Sequence, residues 1–140
     1  MERGRYNVAV GLWAMGLFMV YGFLLIYLRD FHADKEAWIA QYGLGKHFEM
    51  RLAHVHGNLL ALLNVIIGFV LARVGGPVGQ RRVAAWLSLL GMVMPLGIFL
   101  EVTLGAPPYP VLLGALSMVA GTAWTGVLAL RHWEAAPAPA

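Results

Sequence analysis

The chain has 140 residues, of which 60% are hydrophobic and 12% charged, and its mean hydropathy is +0.70. Soluble domains carry about 25% charged residues, so this balance excludes an ordinary water-soluble domain. The formal net charge of +3 is too weak to argue for nucleic acid, and the lack of cysteine excludes disulfides, thiol catalysis, iron–sulfur clusters and cysteine-ligated zinc.

Four apolar runs succeed one another, at residues 8–28, 52–72, 83–103 and 111–130. Each is close to the ~20 residues a helix needs to cross hydrocarbon. The fold class this predicts is an all-α integral membrane protein: one four-transmembrane-helix bundle over residues 1–133, with "EAAPAPA" at 134–140 as a disordered tail. The first run follows "MERGRYN" and is too long for the core of a signal peptide, so it reads as a retained helix.

Between the first two spans lies the longest polar segment. Its middle, Asp34 to Tyr42, predicts a short interfacial helix with Asp34 as N-cap and Ala37, Trp38 and Tyr42 toward the headgroups. The "GLG" at 43–45 ends it. "VGGPVGQRR" is a tight turn between the second and third spans, and Pro95 predicts a kink inside the third. "GAPPYP" breaks the chain before the fourth, where Ser117, Gly121 and Thr125 form a small-residue ridge suited to close helix packing.

Basic residues set the expected orientation. Arg3, Arg5, Arg73, Arg81, Arg82 and Arg131 fall on one side of the four spans, and Arg29, Lys35, Lys46 and Arg51 on the other. The side richer in Lys and Arg faces the cytoplasm, which predicts a multi-pass protein of the inner membrane with both termini inside.

The second span opens with "AHVHGNLLALLNVIIG", residues 53–68, where polar side chains enter an apolar run. At about 100° per residue, His54, Gly57, Asn58, Ala61, Asn64 and Gly68 share a sector of about 120°. His56 points the opposite way, with Leu60, Leu63 and Ile67. A histidine above a groove of small residues suits a flat, bulky ligand such as haem, whose iron accepts a neutral imidazole. Two other readings share this pattern. One is another metal held by His47, Glu49, His54, His56 and Glu101; the other is a face that packs helices, with Asn58 and Asn64 as glue. His32, His47 and His132 read as solvated flanking histidines, and Glu101 as an interfacial carboxylate or a buried partner for Arg51 or a histidine.

"RLAHVHGNLLALLNVIIGFVL", followed by "GGPVGQRR" and the third span, resembles the styrene oxide isomerase family of small four-helix membrane enzymes. The likeness covers residues 51–99, with Phe69, Val70, Leu71, Gly75, Arg82 and Gly97 in step. The "His-x-His…Asn-Leu-Leu" helix start is also similar to that of subunit I in the haem–copper oxidase superfamily. The resemblance implies haem b with His54 as the axial ligand. It also implies a homo-oligomer, a trimer with haem between subunits, in which His56 would face a neighbour. The implied chemistry is Lewis-acid isomerisation of a small hydrophobic epoxide to an aldehyde by a 1,2-hydride shift. In the family an asparagine and a tyrosine hold the epoxide oxygen; here Leu60 and Phe99 stand at those positions. Asn58 and Asn64 are the nearby substitutes for the amide, and Tyr109 is the first tyrosine beyond the third span.

The expected site is therefore His54 as metal ligand, with His56, Gly57, Ala61 and Gly68 around the cofactor and Asn58, Asn64 and Phe99 at the reacting centre. The alternatives are a haem protein that isomerises nothing, such as a b-type electron carrier or a gas or haem sensor, and a haem-free structural membrane protein.

Overall fold

The computed structural model describes residues 4–133, so the tail at 134–140 and Arg3 lie outside the described residues. Among the described residues six helices follow in order: α1 Arg5–Asp30, α2 Lys35–Ala40, α3 Gly45–Arg73, α4 Val78–Leu90, α5 Val93–Leu104 and α6 Tyr109–His132. With α4 and α5 forming one broken span, four segments are long and apolar enough to cross a membrane: Arg5–Asp30, Gly45–Arg73, Val78–Leu104 and Tyr109–His132. The protein is an all-helical membrane bundle of four spans.

α3 sits at the centre, with α1 along one side and α5 on another, while α6 packs against both α4 and α5. The core gathers where these faces meet, around Leu60, Ala61, Ile67, Leu71, Ala84, Ala85 and Leu128. α1 shows its outer face, with Trp13 77%, Leu17 69% and Phe23 69% exposed, as a lipid-facing helix does. The ridge expected on the fourth span packs: Ser117, Gly121 and Thr125 are buried, and a Cβ on Gly121 would lie 2.5 Å from Ser88 Oγ of α4.

The break in the third span falls at Gly91–Met92, one turn before Pro95. Proline has no N–H and its ring crowds the carbonyl four residues back, which is Gly91. That carbonyl takes Met94 N–H instead, at 3.1 Å, and Met92 N–H turns to Leu89 at 3.0 Å. The same adjustment leaves the Ser88 carbonyl to a partner from another helix.

α2 forms where expected, after Asp34, but its cap differs. The Asp34 side chain makes no capping bond; its backbone N–H bonds His32 Nδ1 at 3.2 Å. Trp38 does not turn to the headgroups. It lies over His47 of α3 with ring centroids 4.4 Å apart and planes 17° from parallel. His47 Nδ1–H donates to the Trp38 carbonyl at 2.7 Å, and His47 is only 3% exposed. The expectation of a solvated His47 is corrected: stacking and one hydrogen bond bury it and dock α2 on α3.

Candidate functional site

α1 runs antiparallel along the polar face of α3, and small residues mark each crossing. Gly4 and Val8 meet Gly68, Gly11 meets the Ala61 backbone, Phe18 covers Gly57, and Gly22 meets His54. A Cβ on Gly11 would stand 2.7 Å from the Ala61 carbonyl oxygen, and one on Gly68 would stand 2.6 Å from Val8 Cγ2. Close backbone approach of this kind is how helices gain van der Waals contact where lipid gives no hydrophobic drive. Gly57, Ala61 and Gly68, expected as a shelf for a macrocycle, are therefore covered by α1. Shelf and packing ridge share one sequence pattern, and α1 takes the room.

Asn64 serves the same contact. It is fully buried, accepts from Asn7 Nδ2 at 3.1 Å, and gives its own amide to the Leu60 carbonyl at 3.1 Å and the Ser88 carbonyl at 3.0 Å. Asn7 also donates to the Ala85 carbonyl at 3.0 Å. This network joins α1, α3 and α4, and it satisfies the Ser88 carbonyl left over by the kink. Asn64 stands about 15 Å along the helix from His54 at 1.5 Å per residue, so it is separate from the histidine. Asn7, also fully buried, went unnoticed in the sequence because it stands at the helix start beside charged residues.

His54 and Asn58 are the members of the predicted set that reach an open space. A groove of about 530 Å³ runs between α1 and the first turns of α3. Met19, Phe23, Ile26 and Val55 make its apolar wall, and His54 and Asn58 its polar one. Arg29, Arg51, Tyr42 and His47 line its outer end. The His54 ring is half-buried, with Gly22 leaving it room; a Cβ there would lie 2.8 Å from Cε1. Asn58 holds the His54 carbonyl at 3.0 Å and approaches Nδ1 only at 3.5 Å, the outer limit of a hydrogen bond. No strong bond fixes either ring nitrogen.

Aromatic rings back the histidine. Tyr21 of α1 stands 6.0 Å from the His54 ring centre and meets Phe99 edge-on at 5.6 Å, with Phe18 at 6.5 Å on its other side. Its hydroxyl donates to the Met50 carbonyl at 3.2 Å. The tyrosine beside Phe99 thus comes from the first span. Tyr109, the sequence candidate, is 73% exposed at the start of α6.

At the outer end, Arg51 lies 3.7 Å over the Tyr42 ring and donates to the Tyr42 carbonyl at 3.2 Å. Arg29 pairs with its neighbour Asp30 at 2.8 Å in an exposed setting, where such a pair contributes little.

The remaining histidines lie elsewhere. His56 Nδ1–H donates to the Leu52 carbonyl of its own helix at 2.9 Å. His132 packs over Gly76, and its carbonyl accepts from Gly75 N–H at 2.8 Å. Glu101 is exposed, as an interfacial carboxylate would be. Among the described residues no three His, Asp or Glu side chains converge on a point that could hold a metal ion. The set His47, Glu49, His54, His56 and Glu101 is not assembled. A haem asks less of the protein, namely one imidazole for iron, apolar walls and cations for its propionates. The groove holds one imidazole, an apolar wall, and Arg29 and Arg51 at its outer end, with Arg29 already paired with Asp30.

No family model, curated protein or solved structure matches the chain.

Proposed function

We propose that the protein binds haem b through His54 in the groove between α1 and α3, and that it works as a membrane isomerase of the styrene-oxide type. The observation that carries this reading is the groove itself: a half-buried histidine with neither nitrogen strongly bonded, apolar walls, and two arginines at the outer end. Arg29 and Arg51 would hold the propionates, since guanidinium groups match carboxylates well. Ferric haem bound there would supply the Lewis acidity that opens an epoxide to an aldehyde.

The chain's own residues would do the rest. Gly22 sets the position of the imidazole, and the Tyr21–Phe99 pair blocks its retreat into the core. Asn58 is the groove amide able to hold a polar ligand atom, while Met19, Phe23 and Ile26 would give it an apolar wall. Of the two histidines at the groove, His47 is 3% exposed and stacked on Trp38 while His54 is half-buried and open to the groove, which supports one protein ligand per haem and so favours catalysis or gas binding over electron transfer. The groove's open side, flanked by exposed Val55 and Phe23, would be closed by another copy in a homo-oligomer, consistent with a trimer. The arginine-rich ends would face the cytoplasm from the inner membrane.

The rival is a haem-free structural protein, favoured by the way α1 fills the small-residue face of α3. An absorption spectrum of the detergent-purified protein separates the two. The expected result is a Soret band that His54→Ala abolishes while the helical circular dichroism stays unchanged. No band after haem is supplied would overturn the proposal. Turnover of a phenyl-substituted epoxide to aldehyde then tests the reaction, and a haem-loaded protein without it would leave a sensor or carrier.

A further inference from the structure

At the end of the bundle opposite the groove, three helix ends are tied into one joint. Gly75 N–H donates to the His132 carbonyl at 2.8 Å, and Val74 pairs with Trp133 across the same turn. Arg81 reaches back from α4 and donates through Nη1 to the Val74 carbonyl at 3.3 Å. Arg73 ends α3, Arg82 follows Arg81, and Arg131 precedes His132, so this joint carries four arginines.

Charge is sorted between the two ends of the molecule. Among the described residues every acid, Asp30, Asp34, Glu36, Glu49 and Glu101, belongs to the groove end. The other two acids of the chain, Glu2 and Glu134, lie outside the described residues. Arg73, Arg82 and Arg131 are exposed and make no ion pair or side-chain hydrogen bond among the described residues. Arg81 is half-buried, and its Nε is enclosed with no partner. Trp133, 59% exposed, stands beside them as tryptophan does at headgroup level. Cations that only set orientation need no fixed geometry; here a backbone carbonyl holds one guanidinium in place and leaves its inner N–H unsatisfied.

We propose that this joint binds the phosphate of an anionic phospholipid headgroup. The exposed guanidinium groups of Arg73, Arg82 and Arg131 supply charge and forked donors, Arg81 is fixed at the joint by the Val74 carbonyl, and Trp133 lies against the glycerol level. The occupant is a lipid because the joint closes the ends of membrane-spanning helices, where headgroup phosphates lie.

The test offers the purified full-length protein equal amounts of phosphatidylglycerol and phosphatidylcholine and counts retained lipids by native mass spectrometry. The expected result is preferential retention of phosphatidylglycerol, cut about fivefold by Arg82→Gln and again by Arg81→Gln. Arg82 makes no side-chain bond, so its variant stays informative even where loss of the Val74 contact disturbs Arg81→Gln. Lys35→Gln at the opposite end should leave the preference intact. Equal retention of the two lipids would overturn the proposal, as would an equal effect of Lys35→Gln. Displacement of the lipid by inorganic phosphate at matched ionic strength would show a site for free phosphate instead, and would also overturn it.

Discussion

Gly22 of α1 and His54 of α3 meet with no side chain between them, and a Cβ at Gly22 would lie 2.8 Å from His54 Cε1. The imidazole is positioned by the absence of a methyl group. Gly22→Ala must therefore push the ring outward or part the helices, at a cost of about 1–3 kcal/mol. The expected outcome is haem retention weakened about tenfold or more, with helical content unchanged. Gly16→Ala is the control, because nothing lies within 4 Å of a Cβ there. Titration of both variants with haem, followed at the Soret band, checks the contrast; equal affinities would remove His54 from the site.

Phe18 lies directly over Gly57, so a methyl at Gly57 collides with the ring. Gly57→Ala is expected to lower stability by about 1–3 kcal/mol. If the ring is the obstacle, Phe18→Ala should relieve the clash, and the double variant should lose less than the two single losses combined. A coupling of about 1 kcal/mol or more, measured by unfolding in mixed micelles, is the expected reading. Strict additivity would mean that the contact is not what constrains the α1–α3 approach.

The spans were legible because a bilayer demands long apolar runs and little else. The kink was legible in kind, and its location one turn before Pro95 follows from the carbonyl that proline crowds. The polar face of α3 was visible as well, but its division of labour was not. His54, Gly57, Ala61, Asn64 and Gly68 share one helical sector, yet α1 covers all but the histidine's end of it. Sequence spacing gives the face and not the neighbour that fills it. Tyr21 and Asn7 escaped notice because their roles depend on tertiary partners, the Met50 carbonyl and Asn64, which lie 29 and 57 residues away. The burial of His47 is not legible in the sequence for the same reason: it needs α2 to fold back over the ring.

Asn64 and Pro95 form an unexpected functional pair. The proline-induced break turns Met92 N–H away from Ser88, and Asn64 Nδ2 takes that carbonyl at 3.0 Å. Hydrogen bonds between membrane helices average about 0.6 kcal/mol, and a buried group left unpaired adds about 1–3 kcal/mol. Asn64→Leu, close in volume, is expected to cost about 2 kcal/mol in unfolding free energy without shifting a Soret band. In a Pro95→Ala background a continuous helix can satisfy Ser88 itself, so the same change should cost less. An undiminished cost there would break the link between the kink and the amide.

The last prediction concerns how α2 is held. The α1–α3 connection supplies Tyr42 to the outer end of the groove, and its anchor is the stacked pair Trp38 and His47, with a 2.7 Å hydrogen bond between the ring and the Trp38 carbonyl. His47→Phe keeps a ring for stacking and removes the donor; His47→Ala removes both. With one buried hydrogen bond worth about 0.5–1.5 kcal/mol and stacking adding about 0.5–1.5 kcal/mol, the two variants should separate. Lys35 in α2 and Lys46 at the start of α3 give trypsin two sites, one shortly before each member of the pair. Cleavage at Lys35 is expected to rise several-fold in His47→Phe and further in His47→Ala, by up to about a hundredfold. Since Tyr42 and Arg51 at the groove end are held through this same segment, the variant that cleaves faster should also lose haem faster. Unchanged cleavage in both variants would mean that α2 is held by its connections to α1 and α3 and that the ring pair contributes nothing to docking.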